Sequence, residues 1–176
     1  HLNREQMKNI SFRNDVLPLK NVLYRLALRI TLNREEAEDV VQDTLIKVWN
    51  RRDDWQDIDS IEAFSLTICR NLSLDRMKKA GNDNRPIGDE EAGAPAAGYD
   101  PYERMMQRDR VEQVKRIVDG LPEKQKSCMQ LRDFEGKSYK EIAEVLGISE
   151  EQVKINIFRA RQAVKQKYNE IDRYGL

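Results

Sequence analysis

Cationic, planar and apolar side chains alternate along one predicted helix near the C terminus. One row consists of Lys154, Phe158, Arg161 and Lys165, with Ile155, Arg159 and Gln162 beside it. Donors mixed with flat and apolar groups can contact both the phosphates and the base edges of DNA. The alternative is an ordinary solvated amphipathic helix, since most surface helices carry a charged face. The elements around this helix decide between the two interpretations.

Two helix start signals lie close together in the stretch 138–161. Ser138 with Glu141, and Ser149 with Gln152, both fit the capping box, in which side chains satisfy the free N–H groups of a helix start. Gly147 lies between them and suits a tight turn. This spacing predicts a short helix, a turn and a longer helix, which is the arrangement of a DNA-binding helix-turn-helix. The buried face predicted for the longer helix is Val153, Ile157, Ala160, Val164 and Tyr168.

Charge is segregated along a chain of 176 residues whose 31 basic and 31 acidic side chains cancel. The stretch 35–62 holds ten acidic and three basic residues, whereas 152–176 holds six basic and two acidic ones. Different segments are therefore expected to meet partners of opposite charge. The mean hydropathy of -0.79 indicates a surface-rich helical protein. No apolar run reaches the roughly 18 residues of a membrane helix, so we predict a cytoplasmic protein without membrane insertion.

Three helices are predicted in the first half. An apolar stripe indicates a helix from about Asp15 to Thr31, and Asn33 is the predicted N-cap of a second helix that ends near Asn50. The buried face of this second helix is predicted to be Ala37, Val40, Val41, Thr44, Leu45, Val48 and Trp49, and its outer face Asp39, Gln42, Asp43 and Ile46. Taken alone, that outer acidic row would be a solvated face.

A third helix is predicted after Ser60, apolar at its start and basic at its end. Asn71 lies within it, with Arg70, Arg76, Lys78 and Lys79 nearby. These cations could dock on a phosphate backbone. They could equally complement the negative end of the helix dipole, and this segment alone does not decide between the two.

The apolar periodicity disappears between the two halves. Residues 81–106 are rich in Gly, Pro, Ala and acidic residues, which is typical of a flexible linker. We therefore predict an all-α protein of two small helical domains, residues 8–80 and 107–176, the second containing the helix-turn-helix.

Nothing in the sequence indicates catalysis. His1 is the only histidine, so the carboxylates near position 36 lack the Glu-x-x-His partner of a di-iron site. Cys69 and Cys128 are far apart and are expected to be reduced, partly buried thiols. No Gly-rich phosphate loop is present. We predict no enzyme, metal, cofactor or small-molecule substrate.

Three ordered blocks carry a family resemblance. They are EEAEDVVQDTLIKVW at 35–49, AFSLTICRNLSLDRMKK at 63–79 and LPEKQKSCMQLRDFEGKSYKEIAEVLGISEEQVKINIFRARQAV at 121–164. Together they resemble bacterial RNA polymerase sigma factors of the extracytoplasmic-function type. The resemblance implies a dissociable, non-catalytic subunit that binds the polymerase core, reads the minus-10 and minus-35 promoter elements, and is controlled by an anti-sigma factor.

The resemblance also implies roles for individual residues. It assigns Asp39, Gln42, Asp43 and Ile46 to docking on the polymerase core, through the β′ clamp helices and the β subunit. It assigns contacts with the minus-10 element to Asn71, near the loop that captures an unstacked base, and to Arg70, Arg76, Lys78 and Lys79. It assigns contacts with the minus-35 element to Lys154, Ile155, Asn156, Phe158, Arg159 and Gln162.

Four positions depart from the family pattern. Phe64 and Ser65 stand where Trp and Leu are common, and Ile155 and Asn156 stand where many members have Ser and Arg. An apolar side chain favours a thymine methyl and Asn suits adenine edges, so we expect an unusual minus-35 sequence. The alternative function is a stand-alone helix-turn-helix regulator, which would bind its promoter tightly without polymerase. In the sigma factor interpretation, polymerase must hold the two domains apart on the DNA.

Overall fold

The computed structural model describes residues 9–81 and 101–174, and these ranges are helical without any strand. The all-α prediction is confirmed. Seven α-helices follow in order: α1 (Lys20–Thr31), α2 (Arg34–Asn50), α3 (Ile61–Ala80), α4 (Pro101–Asp119), α5 (Glu123–Met129), α6 (Tyr139–Leu146) and α7 (Glu150–Tyr174). Within the described residues, none of these helices has the length and apolar character needed to cross a membrane.

Helices α1, α2 and α3 pack against one another around Leu23, Leu26 and Leu66, which are almost fully buried. Asn33 caps α2 as predicted, because its Oδ1 accepts a hydrogen bond from the Glu36 N–H at 3.0 Å. Ser60 caps α3 in the same way. The predicted first helix is shorter than expected: a π-helical turn (Phe12–Val16) and a 3-10 turn (Leu17–Leu19) precede α1. The 3-10 turn contains Pro18, which has no N–H to donate within a helix.

The second half begins earlier than the sequence predicted. Helix α4 starts at Pro101, inside the segment assigned to the linker, and Pro suits the first turn of a helix. Residues 82–100 of the predicted linker lie outside the described residues. Helix α4 ends before Gly120 as predicted. Helix α5 is followed by a π-helical turn (Gln130–Phe134) in place of the single helix predicted to reach about Asp133.

The two halves share one apolar core, an arrangement that no sequence pattern predicted. Leu23 and Leu66 of the first half belong to the same buried cluster as Leu131 and Ile142 of the second. Helix α6 packs on α3, and α5 packs on α1. The two helical domains that the sequence predicted are present, and each buries apolar surface on the other, so the described chain is a closed structure.

Candidate nucleic-acid and protein interfaces

The helix-turn-helix has the predicted geometry. Gly147 ends α6 in the left-handed conformation, with φ of 67°, and its N–H bonds the Ala143 carbonyl. Ser149 and Gln152 form the complete capping box of α7, with hydrogen bonds of 3.0 and 3.1 Å between each backbone N–H and the other side chain. The first box is partial: Ser138 Oγ accepts from the Glu141 N–H, but the Glu141 carboxylate accepts from the hydroxyl instead of from a backbone N–H.

Helix α7 separates the two predicted faces. Val153, Ile157 and Ala160 are buried, whereas Val164 and Tyr168 are partly exposed. On the opposite side, Phe158 is 63% exposed and Ile155 is 47% exposed. Of the other residues predicted to read DNA, Lys154, Arg159 and Gln162 are exposed and Asn156 is half-buried. Ile155 and Phe158 lie three positions apart, so they are neighbours on the helix surface and form an exposed apolar patch that suits a binding surface.

Two neighbours on this face are constrained by other groups. Asn156 donates a hydrogen bond from Nδ2 to the Gln152 carbonyl at 2.8 Å, which leaves one N–H and its oxygen for other contacts. Arg161 is bound to Asp133, with Nε 3.1 Å from Oδ2. The hydrogen bond to Asp133 raises the pKa of Arg161. The guanidinium would have to leave Asp133 to contact DNA. Arg159 instead lines a shallow depression of about 270 Å³ together with Ile155 and Asn156.

The residues predicted to contact the minus-10 element fall into three different environments. Asn71 is exposed and lines a depression of about 350 Å³ between the end of α2 and the middle of α3. Arg51 and Asp75 line the same depression, so cationic and anionic groups lie beside the Asn71 amide. Lys78 and Lys79 are exposed in the last turn of α3. The other two predicted residues are arginines, and neither points freely into solvent.

Arg70 is buried, contrary to the expectation that it is available to DNA. It is 7% exposed, and its guanidinium binds both oxygens of Glu123 at 3.0 and 2.7 Å. Since Glu123 opens α5, Arg70 is a contact between the two halves. The sequence places the two residues 53 positions apart and gives no sign of the pairing.

Arg76 is also engaged within the protein. Its Nη1 lies 2.9 Å from Glu36 Oε2 and its Nη2 lies 3.0 Å from Asp43 Oδ2, both on α2. The hydrogen bond to Glu36 is the main cause of its raised pKa. Arg76 would have to give up these hydrogen bonds to contact the minus-10 element, so its assignment to DNA stays a prediction.

The acidic face of α2, defined as Asp39, Gln42, Asp43 and Ile46, lies on one side of the helix. Asp39 has a side chain that is 63% exposed, and Ile46 is 57% exposed. Trp49, predicted to be buried, is 44% exposed. Its ring packs edge-on against Phe12 at 5.4 Å, with Arg52 over it at 4.6 Å. Trp49 follows Ile46 by three residues, and residues three apart are neighbours on a helix surface. This spacing could have predicted that Trp49 lies beside the acidic face.

Between described residues, four ion pairs join the two halves, and we call this boundary the seam. Arg25 binds Glu135, Arg29 binds Asp119, Arg70 binds Glu123 and Lys137 binds Glu62. Three of the four place the cation on the first half. Arg29 also donates to Gln130 Oε1 at 2.8 Å and lies over the Phe134 ring at 5.3 Å. The sequence singled out only Arg70 among these residues, and it gave no sign of any of the pairings, because charges so far apart in the chain leave no local pattern.

The two cysteines are buried near the seam as free thiols, in agreement with the sequence prediction. Burial raises the pKa of Cys69 to about 12 and that of Cys128 to about 11. Both are therefore protonated and unreactive at neutral pH.

The chain matches two family models that correspond to its two halves. Residues 16–82 match the model described as Sigma-70 region 2, and residues 111–164 match the one described as Sigma-70, region 4. Both models describe regions of sigma-70 proteins, and together they cover most of the chain.

Curated relatives define the subgroup. The ECF RNA polymerase sigma factor SigL of Mycobacterium tuberculosis is 30% identical over 154 residues, which cover 85% of this chain and 84% of SigL. The chain belongs to the extracytoplasmic-function sigma factors. SigE of Mycolicibacterium smegmatis is also 30% identical over 144 residues, covering 81% of this chain but only 56% of SigE.

A solved structure has the same fold. The sigma factor RpoE of Bartonella quintana, determined in complex with the anti-sigma factor NepR, superposes with a TM-score of 0.72. The alignment covers 90% of this chain and 96% of that one, at 24% sequence identity.

Proposed function

We propose that this chain is a dissociable sigma subunit that binds the RNA polymerase core in the cytoplasm and directs transcription initiation at specific promoters. The proposal depends on one observation above all. A single chain combines an exposed cationic and aromatic face on α7, suited to DNA, with an exposed acidic and apolar face on α2, suited to a protein.

Helix α7 reads the minus-35 element in this proposal. Arg159 and Lys154 supply donors for guanine edges or phosphates, and Phe158 covers apolar base surface. Ile155 favours a thymine methyl, and the remaining donor and acceptor of Asn156 suit an adenine edge. We therefore expect a minus-35 sequence unlike the common family element. A binding selection that returned the common element would contradict this assignment.

The first half docks on polymerase and opens the minus-10 element. Asp39, Gln42 and Ile46 contact the β′ clamp helices, with an apolar centre and a charged rim. The depression beside Asn71 accepts an unstacked base. Removing a base from the duplex costs a few kcal/mol, so its contacts in the depression must offset that free energy. Lys78 and Lys79 bind the neighbouring phosphates.

The closed structure has to open for both elements to be read together. Two elements separated by two helical turns lie about 70 Å apart. A compact chain of this length has a radius of gyration of only about 16 Å. The free energy of the contacts with polymerase must therefore offset the free energy that is lost when the contacts at the seam break. An anti-sigma factor, as in the complex of the RpoE relative with NepR, regulates the chain by covering these surfaces.

Run-off transcription with core polymerase on genomic fragments tests the function. We expect specific transcripts only when core and this chain are both present. A competing function, the stand-alone regulator, would bind duplex promoter DNA at nanomolar concentration alone and fail to co-purify with core. That pair of results would overturn the sigma factor proposal.

A further inference from the structure

Arg76 lies where α3 crosses α2 and joins the two helices. Its guanidinium contacts three carboxylates of α2: Glu36 at 2.9 Å, Asp43 at 3.0 Å and Asp39 at 3.9 Å. The three acidic residues lie three and four positions apart, so they form a single row on the helix surface. A planar guanidinium with several donors can bridge such a row, whereas an ammonium offers only one point of charge.

The carboxylates would repel one another without this cation. Like charges at spacings of three or four residues destabilise a helix. Their side chains would also turn away from each other into separate rotamers, because both Glu36 and Asp43 are partly exposed, at 42% and 49%. Two of the three, Asp39 and Asp43, belong to the acidic face proposed to dock on polymerase. Arg76 therefore fixes the conformation of groups that a partner would meet.

The position of Arg76 separates it from its basic neighbours in sequence. Lys78 and Lys79 lie two and three residues further along and are exposed at the end of α3. Arg76 is only 31% exposed along its side chain, and both of its terminal nitrogens are used. A phosphate would have to displace two carboxylates to reach it.

We propose that Arg76 is a positioning residue of the polymerase-docking face and not a DNA contact. This inference rests on the proposed function. By holding Asp39 and Asp43 in one arrangement, Arg76 lowers the entropy that is lost when polymerase binds, and so slows dissociation. It also neutralises part of the acidic face, which weakens long-range attraction. Its removal should thus raise the dissociation rate constant strongly and leave the association rate constant equal or higher.

The test measures association and dissociation of the full chain with core polymerase, using Arg76→Gln and the matched variant Lys78→Gln. Both remove one positive charge from the same helix. For Arg76→Gln we expect dissociation about tenfold faster, with association at low salt equal to or faster than that of the unaltered chain. Lys78→Gln should leave the dissociation rate unchanged.

A second readout is the binding of promoter DNA by holoenzyme assembled at saturating sigma subunit. The measured quantity is the slope of log affinity against log salt concentration. We expect Lys78→Gln to reduce this slope by about one, and Arg76→Gln to leave it unchanged. The positioning role would be overturned if Arg76→Gln lost DNA affinity and salt dependence as Lys78→Gln does, with its dissociation from core unaltered.

Two further variants keep the test decisive if Arg76→Gln fails to fold. Arg76→Lys keeps the charge but not the bridge, and Glu36→Gln removes a partner that lies outside the acidic face. Both should accelerate dissociation from core by a smaller factor. Normal dissociation of both variants would overturn the inference. Failure of the unaltered chain to bind core would instead overturn the proposed function.

Discussion

Residues of one type have different roles in this protein according to their partners. On α7, Arg159 is exposed beside a depression, while Arg161, two positions later, is fixed on Asp133. On α3, Arg70 is buried against Glu123, whereas Lys78 is exposed. Since a guanidinium already bound to a carboxylate must give up that bond to bind a phosphate, only the unpaired cations are available to DNA at low cost.

Arg159→Ala tests this distinction at the minus-35 element. If Arg159 reads a base, the substitution should cost about 1 to 3 kcal/mol and relax specificity at one promoter position. Affinities of holoenzyme for a set of singly altered promoters give the answer. Arg161→Ala is the control, and it should change thermal stability without altering sequence preference. An equal loss for Arg159→Ala on every sequence would indicate a phosphate contact instead.

At the scale of the element, the helix-turn-helix depends on how α6 ends. Gly147 has φ of 67°, a conformation that side chains with a Cβ rarely adopt. A Cβ there would meet no atom within 4 Å, so the strain of a substitution would lie in the backbone and not in a collision. The turn sets the angle at which α7 leaves the body of the protein, and hence the direction of its exposed face.

Gly147→Ala should therefore destabilise the protein by about 1 to 2 kcal/mol, the cost of a left-handed conformation for a residue with a Cβ. Thermal unfolding followed by circular dichroism measures the change. Gly120→Ala is the matched control, because its Cβ would only make ordinary contacts, the nearest at 3.5 Å, in a backbone without positive φ. If both variants lost equal stability, the turn geometry would not be the cause.

At the scale of the whole molecule, the seam keeps the two halves together. It combines a shared apolar core with ion pairs that place arginines of the first half on carboxylates of the second. The Arg70 pair is the most buried of these, with the Arg70 side chain 9% and the Glu123 side chain 30% exposed. Removing one partner of a buried pair leaves the other charge uncompensated, which favours separation of the halves.

Glu123→Gln is therefore expected to open the seam. Small-angle scattering should give a larger radius of gyration than for the unaltered chain, and Cys128 should react faster with thiol reagents as its burial is lost. Glu112→Gln provides the control, since Glu112 pairs with Lys115 of the same helix, at 3.7 Å, and both side chains are partly exposed. Identical scattering for both variants would mean that the apolar core alone holds the halves together.

Local sequence patterns predicted most of the helices and most of their buried faces, although Trp49 is exposed and α1 and α4 begin elsewhere than predicted. Capping residues placed the starts of α2, α3, α6 and α7, and apolar periodicity identified the buried face of α7, because both signals lie within a few residues of the structure they specify. The unusual pair Ile155 and Asn156 was likewise visible in the sequence. The family followed from three ordered blocks.

Tertiary structure alone decided which charges are free. Arg70 and Arg76 resemble Lys78 and Lys79 in the sequence, but carboxylates 53 and 40 positions away in the chain hold the two arginines. The closed seam was equally invisible, because the attraction between distant charges and the burial of apolar surface depend on distances in space that no local pattern encodes. The sequence thus pointed to the helix that we propose reads DNA, and the fold determined which of its cations and those of α3 are already bound within the protein.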